Sequence, residues 1–340
     1  MGDMSANRPR VMQSFGRPRR TTNPYIVQLD QALASRPEIE HLRFSWRQAL
    51  TTRIDVLHLH WPETLIEGST WWKRLGKRML LRTLLLKCRL TGTAIVRTAH
   101  NVEIPGDASR AEKGLLRRIE ECADYRILLN PGTRLRWKSA STVIPHGHYA
   151  DWFADVPRVD PDPDVLGFVG LVRHYKGVET LIDAFAQTAE TAPKLRLRIS
   201  GNPTGEALAA EISQRAAGDR RVELDLRYLP EADFATAIMR SAGVVLPYRF
   251  MHNSGSVLAV LSLNRPVLVP RNDVNEDLAR EVGPGWIHMF DGELGPEDLL
   301  AFASAAAGVR GAPDLSRRGW ERAGADHVAA YRAAVAEHRG

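Results

Sequence analysis

A chain of 340 residues exceeds what one hydrophobic core ordinarily serves, so two domains are expected. With 44% hydrophobic and 25% charged residues, 26 Gly and 20 Pro, the composition excludes a disordered, collagenous or coiled-coil protein. Cys88 and Cys122 are the only cysteines, which excludes a disulfide framework, and the net charge of +6 is unevenly spread: residues 1–150 hold 25 basic and 13 acidic side chains, residues 151–340 hold 21 and 27.

In chain order, a strand is expected at 10–14, followed by the basic loop Phe15-Gly16-Arg17-Pro18-Arg19-Arg20-Thr21-Thr22-Asn23-Pro24-Tyr25 and a helix over 24–34. That loop suits an acceptor, with Asn23 and Tyr25 at its end, or equally a flexible surface. Strands follow at 41–44 and 55–60. The second runs into His58-Leu-His60-Trp61-Pro62-Glu63, a histidine, an aromatic and a carboxylate on one loop. The helix expected at 71–90 carries Lys73, Arg74, Lys77, Arg78, Arg82, Lys87 and Arg89 without one acid. Trp71, Leu75, Met79, Leu86 and Leu90 recur on one face, which Trp72, Leu80, Leu81, Leu84 and Leu85 enlarge. Such a pattern fits a helix in the headgroup region of an anionic membrane, and equally a domain helix with a basic outer face. A strand at 94–98 leads to His100, Asn101 and Glu103; then come a helix at 109–122 and strands at 126–130 and 142–145.

His146-Gly147-His148 reads as a hinge or a cleft contact, and Trp152-Phe153 as packing. Residues 1–150 form the expected first domain, and 151–164 a proline-punctuated linker whose aspartates Asp160, Asp162 and Asp164 are solvated loop. The second domain is expected over 165–316, with strands at 165–169, 195–200, 222–226, 243–247 and 266–270. Between them fall helices near 177–191, 205–217, 231–241 and 254–263. A last helix within 317–340 is expected to pack back on the first domain. Alternating strands and helices in both halves give an α/β protein of two doubly wound parallel sheets, with ligands on strand-to-helix loops.

The sharpest motif is Gly170-Leu-Val-Arg173-His-Tyr-Lys176-Gly177, after an apolar strand and before a helix. Glycine lets backbone approach a ligand, Arg173 offers a planar donor fork and Lys176 a point charge, as a departing nucleoside diphosphate requires. Gly201 and Asn202 end the next strand, and Tyr248 another. His252-Asn253-Ser254-Gly255-Ser256 opens a helix whose free N–H groups favour a phosphate. Asn272 to Asp277 begins a further helix that can reach the donor. For deprotonating an acceptor hydroxyl, Glu63 is the first choice, with Glu103, His100 and Asp107 behind it. No binding motif supports nucleic acid.

Taken together, the sequence resembles the GDP-mannose:glycolipid 4-β-D-mannosyltransferases of xanthan-type exopolysaccharide assembly. The resemblance runs over nearly the whole chain. It rests on Thr22-Asn-Pro-Tyr25, the segment Asp55 to Glu63, Leu90-Thr-Gly-Thr93, Val96-Arg-Thr98 with His100-Asn101, and His146-Gly-His-Tyr149 with Asp151-Trp-Phe153. It continues through Tyr175-Lys-Gly-Val178, Gly201-Asn-Pro203, Val245-Leu-Pro-Tyr248, Met251 to Gly255, Arg265-Pro-Val-Leu268 and Glu281 to Trp286. It implies a GT-B fold, two Rossmann-like domains facing a cleft, and inverting transfer of mannose from GDP-mannose to a polyprenyl-diphosphate-linked oligosaccharide. It implies a cytoplasmic enzyme peripheral on the inner membrane face, with no metal cofactor. Retaining relatives carry two glutamates eight residues apart where this chain has about Met251 and Ala259, which argues against retention. Within the class a UDP-linked donor stays open, with the base pocket near Arg227 to Leu229; so does a non-catalytic membrane scaffold.

Overall fold

The computed structural model describes residues 8–19, 21–100, 109–134, 136–137, 139–249 and 251–339. It divides into two compact units, residues 1–147 with 318–340, and residues 148–317.

In the first unit, β1 (Arg10–Gln13), α1 (Pro24–Ala34), β2 (Glu40–Leu42), α2 (Trp46–Thr51) and β3 (Val56–Leu59) are followed by α3 (Trp71–Thr91), β4 (Ala94–Ala99), α4 (Arg110–Cys122), β5 (Tyr125–Leu128) and β6 (Ala140–Val143). Every strand pair is parallel, in the order β2-β1-β3-β4-β5-β6. Strands β1, β3 and β4 are almost wholly buried because helices cover both faces, which accounts for their unbroken apolar runs. Asn23 caps α1, its Oδ1 accepting from the N–H of Tyr25 at 3.0 Å, and Pro24 fills the first turn.

The second unit holds β7 (Asp162–Val169), α5 (Val178–Ala186), β8 (Arg196–Ser200), α6 (Glu206–Ala216), β9 (Val222–Asp225), α7 (Glu231–Met239), β10 (Ser241–Val245), α8 (Gly255–Ser262), β11 (Val267–Pro270), α9 (Asp273–Val282), β12 (Ile287–Phe290) and α10 (Pro296–Gly308). Its sheet is also parallel, in the order β12-β11-β10-β7-β8-β9. The chain then returns to the first unit as α11 (Trp320–Arg339), which packs along α1 and over β3, β4, β5 and β6.

Two sequence expectations need correction. Residues 151–164 are not a free linker: Tyr149 and Phe153 lie in the core of the second unit, and β7 already begins at Asp162, beside β10 and β8. Pairing with those neighbours holds the Asp-Pro-Asp run extended, and Asp162 is salt-bridged to Arg196. The boundary between the two units falls between Gly147 and His148, and a Cβ on Gly147 would stand 2.4 Å from the Trp320 indole that packs against it. Finally, the apolar surface of α3 is two surfaces. Leu81, Leu84, Leu85 and Cys88 enter the core, whereas Trp71 (70% exposed), Trp72, Leu75, Met79, Leu86 and Leu90 (76%) face outward.

Candidate active site

In doubly wound sheets, ligands bind at the carboxyl ends of the strands where the strand order reverses. In the second unit that point lies between β7 and β10, and the Gly170–Gly177 loop leaves β7 there. The loops after β7, β8 and β10 are drawn together by backbone. The N–H of Gly170 donates to Ser200 O at 3.0 Å and that of Val172 to Asn202 O at 3.0 Å. A Cβ on Gly201, whose φ is +150°, would stand 1.8 Å from Gly170 O, and one on Gly177, φ +66°, would stand 2.4 Å from Pro247 O. Only glycine allows either approach.

This packing buries Lys176, whose Nζ sits 4.9 Å from the centroid of the Tyr248 ring. Burial lowers the Lys176 pKa, the neighbouring Tyr175 opposing that effect, and pushes Tyr248 up to about 12. The Tyr248 hydroxyl donates to Ser256 Oγ at 3.2 Å, while Ser254 caps α8 by accepting from the N–H of Val257 at 3.4 Å. Gly170, Lys176, Gly201, Tyr248 and Ser256 are thus brought together, with Arg173 and Asn202 exposed on the adjoining loops. His252, Asn253, Ser254 and Gly255 are half-buried at the start of α8, and burial lowers the His252 pKa. Asn272 serves the scaffold: it caps α9, accepting from the N–H of Asn275 at 2.9 Å, and its Nδ2 donates to Met251 O at 3.1 Å. Along β8 and β9 and beside α7, a cavity of about 480 Å³ is lined by Arg198, Glu223, Asp225, Arg227, Asp233 and Arg240 among others. Asp225 and Asp233 grip Arg227 there, each at 2.9 Å.

In the first unit the order reverses between β1 and β3, and a buried histidine network occupies that place. His58 Nδ1 lies 2.8 Å from the Tyr331 hydroxyl and its Nε2 2.7 Å from Thr98 Oγ1. His60 reaches Gln13 Oε1 at 3.1 Å and His100 Nε2 at 3.4 Å, while Gln13 Nε2 donates to Tyr331 at 3.0 Å. Trp61 stacks on His100, centroids 3.8 Å apart and planes 17° apart, with Tyr25 edge-on to both. Burial above all lowers the pKa of His58, His60 and His100 well below the usual histidine value, so all three are neutral at pH 7. Arg97, also buried, donates to the carbonyls of His60 and Thr98 and at 2.9 Å to Glu120, fixing the ends of β3 and β4.

Glu63 opens a 3-10 turn, Pro62–Leu65, after β3; half-burial raises its pKa, which its own backbone N–H partly offsets. Asn23 is spent on the helix cap. Glu103, with Asn101 and Asp107, lies outside the described residues. The sequence pattern does not single out Gln13, Arg97, His327 or Tyr331, and it gives His58 no role of its own. The alternation His58-Leu-His60 was a usable signal, since i and i+2 share one face of a strand.

On α3, the cations divide. Lys87 donates to Ala49 O at 2.6 Å, Lys77 to Glu67 O at 2.6 Å, and Arg78 pairs with Glu112 at 2.6 Å. Lys73 lies over the Trp72 ring, 5.2 Å from its centroid, and Arg74 is exposed. No described helix is long and apolar enough to cross a membrane.

Residues 163–307 match the family model for glycosyl transferases group 1. Solved structures share the fold. AviGT4, a glycosyltransferase involved in avilamycin A biosynthesis, is 16% identical with a TM-score of 0.58, covering 96% of this chain and 98% of its own. Anabaena HepE in complex with UDP and glucose is 12% identical with a TM-score of 0.59, covering 97% and 98%. Two parallel six-stranded units of this kind are the GT-B fold. The GDP-mannose:glycolipid 4-β-D-mannosyltransferase of Xanthomonas campestris pv. campestris is 40% identical over 96% of this chain and 93% of its own. With that identity along nearly its full length, the chain belongs to the GDP-mannose:glycolipid 4-β-D-mannosyltransferase family of glycosyltransferases.

Proposed function

We propose that the chain moves mannose from GDP-mannose to a polyprenyl-diphosphate-linked oligosaccharide by a single displacement with inversion, at the cytoplasmic face of an acidic membrane. The observation that carries this reading is Lys176, a buried cation beneath three converging loops at the switch point of the second unit, in a chain 40% identical to an enzyme named for this reaction. The nucleoside binds after β9, near Arg227 to Leu229. Arg173, Lys176 and the N-terminus of α8, rather than a metal ion, offset the charge that grows on the diphosphate as the bond to mannose breaks. Glu63 takes the proton of the acceptor hydroxyl as that hydroxyl attacks, and His100, held in place by the buried histidine network, orients hydroxyls of the acceptor sugar.

Replacing Lys176 by Met keeps the stem and removes the charge. Turnover with GDP-mannose falls about 100-fold or more, while melting temperature holds or rises because a buried ammonium is no longer desolvated. GDP must also protect the wild-type chain against melting more than UDP does. The reverse preference makes this a uridine-donor enzyme, and normal K176M turnover removes Lys176 from the reaction.

The exposed apolar row of α3 with Lys73 and Arg74 beside it is the membrane surface in this reading. Trp71→Ser with Leu75→Ser weakens binding to phosphatidylglycerol vesicles by about tenfold or more, at unchanged turnover on a soluble acceptor. Equal binding of variant and wild type to those vesicles rules α3 out as the docking surface.

A further inference from the structure

Beside the donor loop, three groups that the transfer chemistry leaves unused converge. His174 opens the turn after Arg173, and its Nδ1 lies 2.7 Å from Glu179 Oε1 on the first turn of α5. Glu211 approaches from α6. One His174 nitrogen and one carboxylate oxygen from each glutamate lie within 4.8 Å of one another. A second observation concerns Glu179 itself: the residue is only 7% exposed, and its Oε2 is shut off from solvent with no hydrogen-bond partner. A buried carboxylate oxygen without a donor is costly, and a cation relieves it. Arg215 does not relieve it: that guanidinium pairs with Asp183 and, at 3.2 Å, with Glu211 Oε1, so the ion would share Glu211 with Arg215. His174, two-thirds exposed, and Glu211 leave the cluster open to solvent on one side.

We propose that His174, Glu179 and Glu211 form a binding site for a divalent transition-metal ion, zinc in the first instance. Two carboxylates balance a double charge, and the imidazole favours zinc over magnesium and calcium, which prefer oxygen alone. Three protein ligands leave a position for water. The ion would tie the turn that carries Arg173 and Lys176 to both α5 and α6. Resting on the donor reading above, zinc then tightens nucleotide binding by holding that turn in its bound shape.

The test titrates zinc into the chelator-stripped full chain against a chromogenic chelator. Wild type is expected to take up one equivalent with micromolar affinity, and His174→Gln and Glu211→Gln to lose about tenfold or more each, at unchanged metal-free melting temperatures. Because both side chains are solvent-exposed, both variants are expected to fold, and if one does not the other decides. Absence of competition by wild type, or undiminished wild-type zinc affinity in both variants, overturns the site. GDP affinity is measured with and without zinc in the same samples. A rise in wild type that both variants lack supports the tie, and zinc uptake with no change in GDP affinity overturns it. Normal GDP binding without zinc uptake defeats the metal site alone, whereas loss of all nucleotide binding defeats the donor reading.

Discussion

Lowering the pH from 7.5 to 5.5 is expected to melt the first unit ahead of the second. His58, His60, His100 and His327 are buried there and His146 is partly buried, and desolvation is the leading cause of the lowered pKa of every one, with His146 and His327 brought down to about 4. A histidine whose folded pKa lies below its unfolded value near 6.5 stays neutral while the unfolded chain takes up a proton. Stability is therefore complete above about pH 6.5 and drains away as the pH falls toward the folded value. For His146 and His327 together this amounts to about 3 kcal/mol at pH 5.5, and the other three add to it. Against a total stability of about 5–15 kcal/mol, that is a large share. In the second unit the shifted histidines, His148 and His252, are only partly buried. Calorimetry across the pH range, with hydrogen exchange to assign the transitions, measures the difference. His327→Leu should move the first acid midpoint downward, because His327 Nε2 is buried without a partner and only its Nδ1, 2.7 Å from Ala323 O, makes a bond. Transitions that shift together with pH would contradict the argument.

Glu63→Gln is expected to cost about 10²–10⁴ in turnover while GDP binding stays as it was. The amide keeps the size of the carboxylate and its place in the 3-10 turn but takes up no proton. Partial burial raises the Glu63 pKa and makes the carboxylate a stronger base than an exposed glutamate. The acid limb of the turnover profile should therefore lie above that of an ordinary carboxylate and vanish in E63Q. Turnover within a few-fold of wild type assigns the base to another residue, with Glu103 the next to replace.

Much of the second unit could be read from the chain. An apolar strand, a glycine, two cations and a second glycine sit where any α/β sheet presents a phosphate site, so the loop at 170–177 needed no tertiary information. The histidine network was only half legible. His60 and His100 end strands and were visible as such, but their partners Gln13 and Tyr331 stand 47 and 318 residues from His60 and Gln13 respectively. Strand order and the return of α11 create that neighbourhood, and neither is written in local periodicity. On α3, 21 residues contain enough apolar side chains for two stripes, and spacing alone cannot say which one the core takes. Helix α10 was missed because Ala303 and Ala305–Ala307 carry no alternation; its start is marked only by Pro296 and the Asp298 carboxylate on the N–H of Gly295 at 2.9 Å.

The return of α11 also sets the order in which the protein can be made. The bonds from Tyr331 to Gln13 and His58 join segments that the ribosome delivers far apart in time, with all of the second unit between them. Domains ordinarily fold as they emerge, the earliest first. Here the earliest must wait with the buried faces of β1, β3 and β4 incomplete, while residues 148–317 emerge and fold as an uninterrupted stretch. The nascent first unit is thus the natural client of holding chaperones, and a ribosome whose tunnel has just released residue 317 would carry a finished second unit behind an unfinished first one.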